Sequence, residues 1–192
     1  ESIVSYLSIY TRIPNSVTSV ILVTRLFDTV GEVIVFTIAG LGVKILLHEE
    51  SLEERFIGIN DQAVCLLLDF AALLSCFLAI DLALKGHLTP GGGFASGVAG
   101  ATSITLLMVT GRLQKVENFY FKANAPALEK FAVACFIVFA LATFSSFLYP
   151  SSVFASISPK IYIPALNIIA AFKVTIGSWS ILRLFVIKRG VL

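Results

Sequence analysis

Charge is scarce in this sequence. Lysine and arginine number 14 and aspartate and glutamate 12 among 192 residues, 14% of the chain, against about 25% in soluble globular domains. Apolar residues fill the gap at 57%, where a soluble domain carries about 45–50%, and mean hydropathy is +0.94. This balance favours a protein built for lipid. A formal net charge of +2 with no long basic run gives no basis for nucleic-acid binding.

Cysteine and histidine are also few. Cys65, Cys76 and Cys135 all fall inside apolar runs and form no CxxC pair, and His48 and His87 are too few to complete a zinc site. The three read as plain buried thiols. Residues 1–16 lack the basic-then-apolar pattern of a secretory signal, and a first residue Glu1 leaves room for sequence before it.

What the chain does have is long apolar stretches. A helix crossing a bilayer needs about 20 such residues, and five stretches qualify: Val20–Leu47, Gln62–Leu84, Gly93–Thr110, Phe131–Tyr149 and Tyr162–Ile187. "HEESLEERFIGIND" (48–61) reads as a short surface helix whose acidic run is a solvated face. "PSSVFASISPKIYIP" (150–164), bounded by prolines, reads as a loop. Basic residues in short loops mark the cytoplasmic side. Arg12, Arg25, Lys85 and Lys160 share the N-terminal side; Lys44, Arg55, Arg112, Lys115, Lys122, Lys130, Arg183, Lys188 and Arg189 fall on the other. The expected fold is therefore an all-α integral membrane protein of about five transmembrane helices, N-terminus outside and C-terminus cytoplasmic, with Arg183, Lys188 and Arg189 as anchors.

One stretch raises the question of a nucleotide site: "GHLTPGGGFASG" (86–97). No lysine follows the glycines as a Walker loop requires, and Ser96 stands where the third glycine of GxGxxG belongs. Packing is the better account. Gly93, Gly97 and Ala101 recur at four-residue steps, as do Gly92, Ser96 and Gly100, and such small residues let membrane helices approach closely. Pro90 suits a first helical turn, and Gly91, Gly92 and Gly93 permit a tight connection between the second and third spans.

These residues also carry a resemblance. "GHLTPGGGFASGV" is similar to the signature of the MrpB component of the Mrp-type multisubunit cation/proton antiporters, and "LNIIAAFKVTIG" (166–177) resembles that component's last span. "NSVTSVILVTRLFDTVGEVIVFTIAGLGV" (15–43) resembles the C-terminal part of the MrpA component, through Arg25, Phe27, Asp28, Thr29, Gly31 and Glu32. The resemblance implies an MrpA-like segment with one span (1–50), a cytoplasmic connector (51–61) and an MrpB-like four-helix membrane domain (62–192). It also implies other Mrp-type subunits as partners, a prokaryotic plasma membrane, and Na+ or H+ as the transported ion with no cofactor in this chain. Related pieces occur in membrane-bound hydrogenases and sulfur-reducing respiratory complexes, which would supply hydrogenase-like or complex-I-like partners.

The functional candidates are ionisable groups within the spans, where each costs about 2.5–3.5 kcal/mol at a helix centre and so faces protein or water. Asp28 and Glu32 share a helical face, a pattern suited to one shared proton or a bound cation; the alternative is an interfacial Arg25–Asp28 pair. Lys173 stands mid-span, where ~6 Å of side chain cannot reach across ~15 Å of half-bilayer. Asp69 is its expected partner within the chain. Asp81 and Lys85 are spaced to pair with each other. His87 either relays protons or fixes the glycine turn. Two readings follow: a subunit that helps form an ion path through Glu32, Asp28, Asp69, Lys173 and His87, or a non-conducting scaffold joined through the small-residue stripe. Nothing in the motifs marks an enzyme active site.

Overall fold

The computed structural model describes residues 3–49, 59, 61–148 and 158–189, and every regular element among them is a helix. In chain order these are α1 (Ile3–Thr11), α2 (Ser16–Ser19, continued by a π-helical turn at Val20–Thr24), α3 (Leu26–Leu46), α4 (Gln62–Lys85), α5 (Gly93–Leu107, continued by a π-helical turn at Met108–Arg112), α6 (Leu113–Lys122), α7 (Ala125–Leu148) and α8 (Pro159–Arg189). Five helices are long and apolar enough to cross a membrane: Leu26–Leu46, Gln62–Lys85, Gly93–Lys122, Ala125–Ser145 and Pro159–Lys188.

Local chemistry sets the helix starts. Asn15 accepts hydrogen bonds from the Val17 and Thr18 amides, and Asp61 from those of Ala63 and Val64, satisfying donors that the first turn leaves free. The expected first span breaks at Arg25. Its amide reaches back five residues to the Val20 carbonyl and its backbone leaves the helical region at φ −116°, so α3 begins at Leu26. The third span likewise ends in a kink, where Gly111 takes φ +79°, a conformation glycine adopts without a Cβ clash.

Two further boundaries differ from expectation. Residues 159–164 are helical rather than part of a loop: Pro159 stands at the first position of α8, where its missing N–H costs nothing, and Pro164 removes a single bond inside it. Helix α7 starts at Ala125, not Phe131, which brings Glu129 into the spanning segment. Of the expected surface helix at 48–61, residues 50–58 and 60 lie outside the described residues, as do residues 150–157 of the expected loop; His48 and Glu49 form a bend.

Helix α8 is the centre of the bundle and packs against α3, α4, α5 and α7. Its closest neighbour is the small-residue face of α5. A Cβ on Gly93 would run into the Asn167 carbonyl, one on Gly97 into Val174, and one on Gly100 would lie 2.7 Å from Thr175 Oγ1. Toward α4, Ser96 Oγ donates 2.6 Å to the Ala79 carbonyl. Two apolar clusters fill the interior: one includes Leu26, Val33, Phe136 and Leu166, the other Met108, Tyr120, Ile176 and Trp179. Along α8, Lys173 falls between them. The remaining faces are apolar and uncovered, as at Leu66, Phe70, Leu73 and Phe77 of α4. A surface of that kind suits lipid or a neighbouring membrane protein.

Candidate functional site

Lys173 is wholly buried, with 0% exposure. Its ammonium lies 3.4 Å from the Val33 carbonyl oxygen and 4.0 Å from the centre of the Phe36 ring. A desolvated cation over an aromatic face gains about 2 kcal/mol, less than a full counter-charge would supply. No carboxylate forms an ion pair with it among the described residues. Glu129 of α7 stands one turn along α8 from Lys173, its Oε1 3.0 Å from where a Cβ on Gly177 would lie.

Two cavities are lined by neighbours of this lysine, though not by the lysine itself. The larger, about 540 Å³, reaches from Thr18, the glycines Gly91–Gly93 and Asn167 down to Glu32, Val33, Phe36 and Val174. Glu32 forms no hydrogen bond or ion pair among the described residues and stands on this cavity's wall beside Thr29, whose Oγ1 is buried without a partner. A carboxylate and a free hydroxyl one turn apart suit water or a hydrated cation. The smaller cavity, about 170 Å³, is lined by Thr37, Lys44, Glu129, Lys130, Gly177 and Ser180. Lys173 thus touches residues of the larger cavity, while Gly177, one turn along the same helix, belongs to the smaller.

The glycine loop lines one end of the larger cavity and is held from two sides. Asn15 Nδ2 donates to the carbonyls of Gly86 (3.0 Å) and Thr89 (2.6 Å), and Thr18 Oγ1 to that of Gly86 (2.7 Å). From α8, Asn167 Nδ2 donates to the carbonyls of Leu82 and Ala83, the last turn of α4. Gly91 and Gly92 take φ +150° and +126°, and a Cβ on Gly91 would lie 2.6 Å from Leu82 Cδ2. The "PGGG" run is needed for backbone conformation and for room.

The expected site residues do not all meet. Glu32 on α3 lines the larger cavity, and Lys173 on α8 touches its lining residues Val33 and Phe36. Asp69 does not face Lys173: its carboxylate accepts from Arg112 Nη2 at 2.5 Å and from Thr110 Oγ1 at 3.3 Å, because the kink after α5 turns Arg112 toward α4. Asp28 is held by Arg25 Nε at 2.6 Å rather than sharing a site with Glu32. Asp81 pairs with Lys85. His87 is half-buried in the glycine loop, with Nδ1 unpartnered. The cysteines are free thiols, but none is fully buried: Cys76 is exposed on α4, and Cys65 and Cys135 are half-buried. Pro90 is exposed at the loop, and Ala101 is buried, 2% exposed.

Residues absent from the expected set are Glu129, Phe36, Asn15 and the side-chain role of Asn167. The signal for Glu129 was hidden by its neighbour Lys130, which makes the start of α7 look like a loop. At the other end of α8, Arg183 pairs with Glu117 and packs over the Tyr120 ring at 4.7 Å, fixing α6 to α8.

A bundle of five helices long and apolar enough to span a membrane, with a lysine buried at its centre, defines a multi-pass integral membrane protein. Residues 63–180 match the family model described as a domain related to the MnhB subunit of Na+/H+ antiporters, and the chain belongs to that family. No solved structure matches it.

Proposed function

We propose that this chain helps form the ion path of an Mrp-type Na+/H+ antiport module in a prokaryotic plasma membrane, in company with further antiporter subunits. The observation that carries the reading is the full burial of Lys173 against Val33 and Phe36, which line a cavity together with Glu32, while a second cavity is lined by Glu129 and by Gly177, one turn along α8. A buried lysine contacting only a carbonyl and a ring gains too little to be retained for stability, whereas a group that changes charge as ions pass needs just such weak partners. The moving ion is H+ or Na+. Glu32 serves the larger cavity, with Asp28 one turn before it on α3 and His87 in the loop whose glycines line the same cavity.

The region before α4 acts in this reading as an MrpA-like piece fused to the MrpB-like part, residues 1–50 and 62–192, with 51–61 as connector. The bonds from Asn15 and Thr18 to Gly86 support a shared working unit. Glu32 is exposed at the open wall of its cavity, a position that a neighbouring protein of the complex would cover.

The test is ion transport by vesicles containing the assembled complex, with Lys173→Met and Glu32→Gln. Loss of transport in assembled variants is expected; normal rates in both would remove this chain from the path. The scaffold reading loses its motive, because the small-residue face of α5 is taken up by α8 of the same chain and is not free to hold a partner. Copurification would identify the parent complex: iron–sulfur or nickel–iron proteins would mark a respiratory assembly, and their absence a simple antiporter.

A further inference from the structure

Gly177 is where the two sides of the path come together. A Cβ there would lie 2.6 Å from Phe36 Cε1 and 3.0 Å from Glu129 Oε1, so the ring edge and the carboxylate converge on one bare backbone position. The same ring carries the Lys173 ammonium on its face and lines the larger cavity. The carboxylate lines the smaller one with Lys44 and Lys130. Phe36 therefore stands between the two spaces, touching the lysine on one and bordering the acid on the other.

Resting on the transport role proposed above, we propose that Phe36 is the partition of the path and Glu129 its acceptor on the far side. When the ring is in place, an apolar plate interrupts any file of water and the cation–π contact keeps the ammonium on the larger-cavity side. When it swings aside, Lys173 reaches Glu129. The ammonium then gives one proton to the carboxylate: an N–H bond breaks, an O–H bond forms, and a charged pair becomes a neutral amine and a neutral acid. Lys173 takes a replacement proton from the cavity lined by Glu32, and Glu129 releases its proton into the cavity lined by Lys44 and Lys130. One proton has crossed, and both side chains are restored. The positive charge of the two lysines attracts the carboxylate and so returns Glu129 to its accepting state.

Vesicles bearing the assembled complex test this with Glu129→Gln, Glu129→Asp, Phe36→Ala and Phe36→Leu, with Lys173→Met as reference. Loss of a positioned proton carrier lowers rates about 100-fold or more, so Glu129→Gln should approach the Lys173→Met level and Glu129→Asp should recover part of the rate. Phe36→Ala should raise passive proton leak in de-energised vesicles, and Phe36→Leu should restore the seal. If Glu129→Gln transports normally while Lys173→Met does not, the acceptor assignment is overturned and the lysine's role stands. If Lys173→Met is itself normal, the underlying reading fails instead. If Glu129→Gln does not assemble, the leak decides: unchanged permeability in Phe36→Ala overturns the partition, and raised permeability supports it.

Discussion

Asn15 and Gly86, 71 positions apart in sequence, are joined by a 3.0 Å hydrogen bond from the asparagine amide to the glycine carbonyl. The same amide bonds the Thr89 carbonyl, and its oxygen caps α2. One side chain therefore ties the first helices to the glycine loop. Asn15→Ala removes the α2 cap and the donor to the exposed Thr89 carbonyl, while Gly86 keeps its bond from Thr18, a loss of about 0.5–2 kcal/mol. Thermal unfolding of the purified complex should shift downward, with the N-terminal region becoming protease-sensitive first.

Glycines here should divide sharply by what surrounds them. A methyl on Gly97 would collide with Val174, whereas one on Gly42 meets nothing within 4 Å. Gly97→Ala should destabilise by about 1–3 kcal/mol through overpacking and loosen α5 from α8. Gly42→Ala should be neutral or stabilising by about 0.5–1 kcal/mol, as expected of alanine inside a helix. Melting temperatures of the two variants, measured side by side, check the contrast.

Asp69 should prove dispensable for transport. Its partner Arg112 is about half exposed, 48% at the side chain against 27% for Asp69, and such a pair contributes about 0–1 kcal/mol. Asp69→Asn should leave transport near its normal rate and stability almost unchanged. A dead but assembled variant would return Asp69 to the path.

The loop charges predict sidedness. With Cys65, Cys76 and Cys135 replaced, Leu88→Cys, in the glycine loop, should react with an impermeant maleimide added outside intact cells. Gln114→Cys, in the basic α6 region, should react only after permeabilisation. Both positions are exposed. The reverse pattern would invert the assigned topology.

The spans were legible because lipid demands length and apolarity together, and little else in a sequence produces both. The small-residue face of α5 was legible for a similar reason: its four-residue step is the step of a helix face, and that face meets α8. Legibility failed where neighbours in space are distant in sequence. Nothing in the spacing says that the kink at Gly111 would turn Arg112 onto Asp69. Charge also misled at Glu129–Lys130, where two ionisable residues imitate the end of a loop although α7 already runs through them. Proline misled at 159 because its usual role as a breaker does not apply in a first turn, and at 164 because one lost bond does not end a helix of 31 residues.

The 31-residue length of α8 has a mechanical corollary. At 1.5 Å per residue it measures about 46 Å, against about 30 Å of hydrocarbon. Lys173 stands about 21 Å from one tip and about 24 Å from the other, so lifting the rod by a full turn, about 5.4 Å, still leaves its amine submerged. An elevator stroke along the bilayer normal is thus too short to bring this cation to either aqueous face. The proton transfer proposed above therefore calls for sideways motion: a ring turning, or one helix rolling against its neighbour.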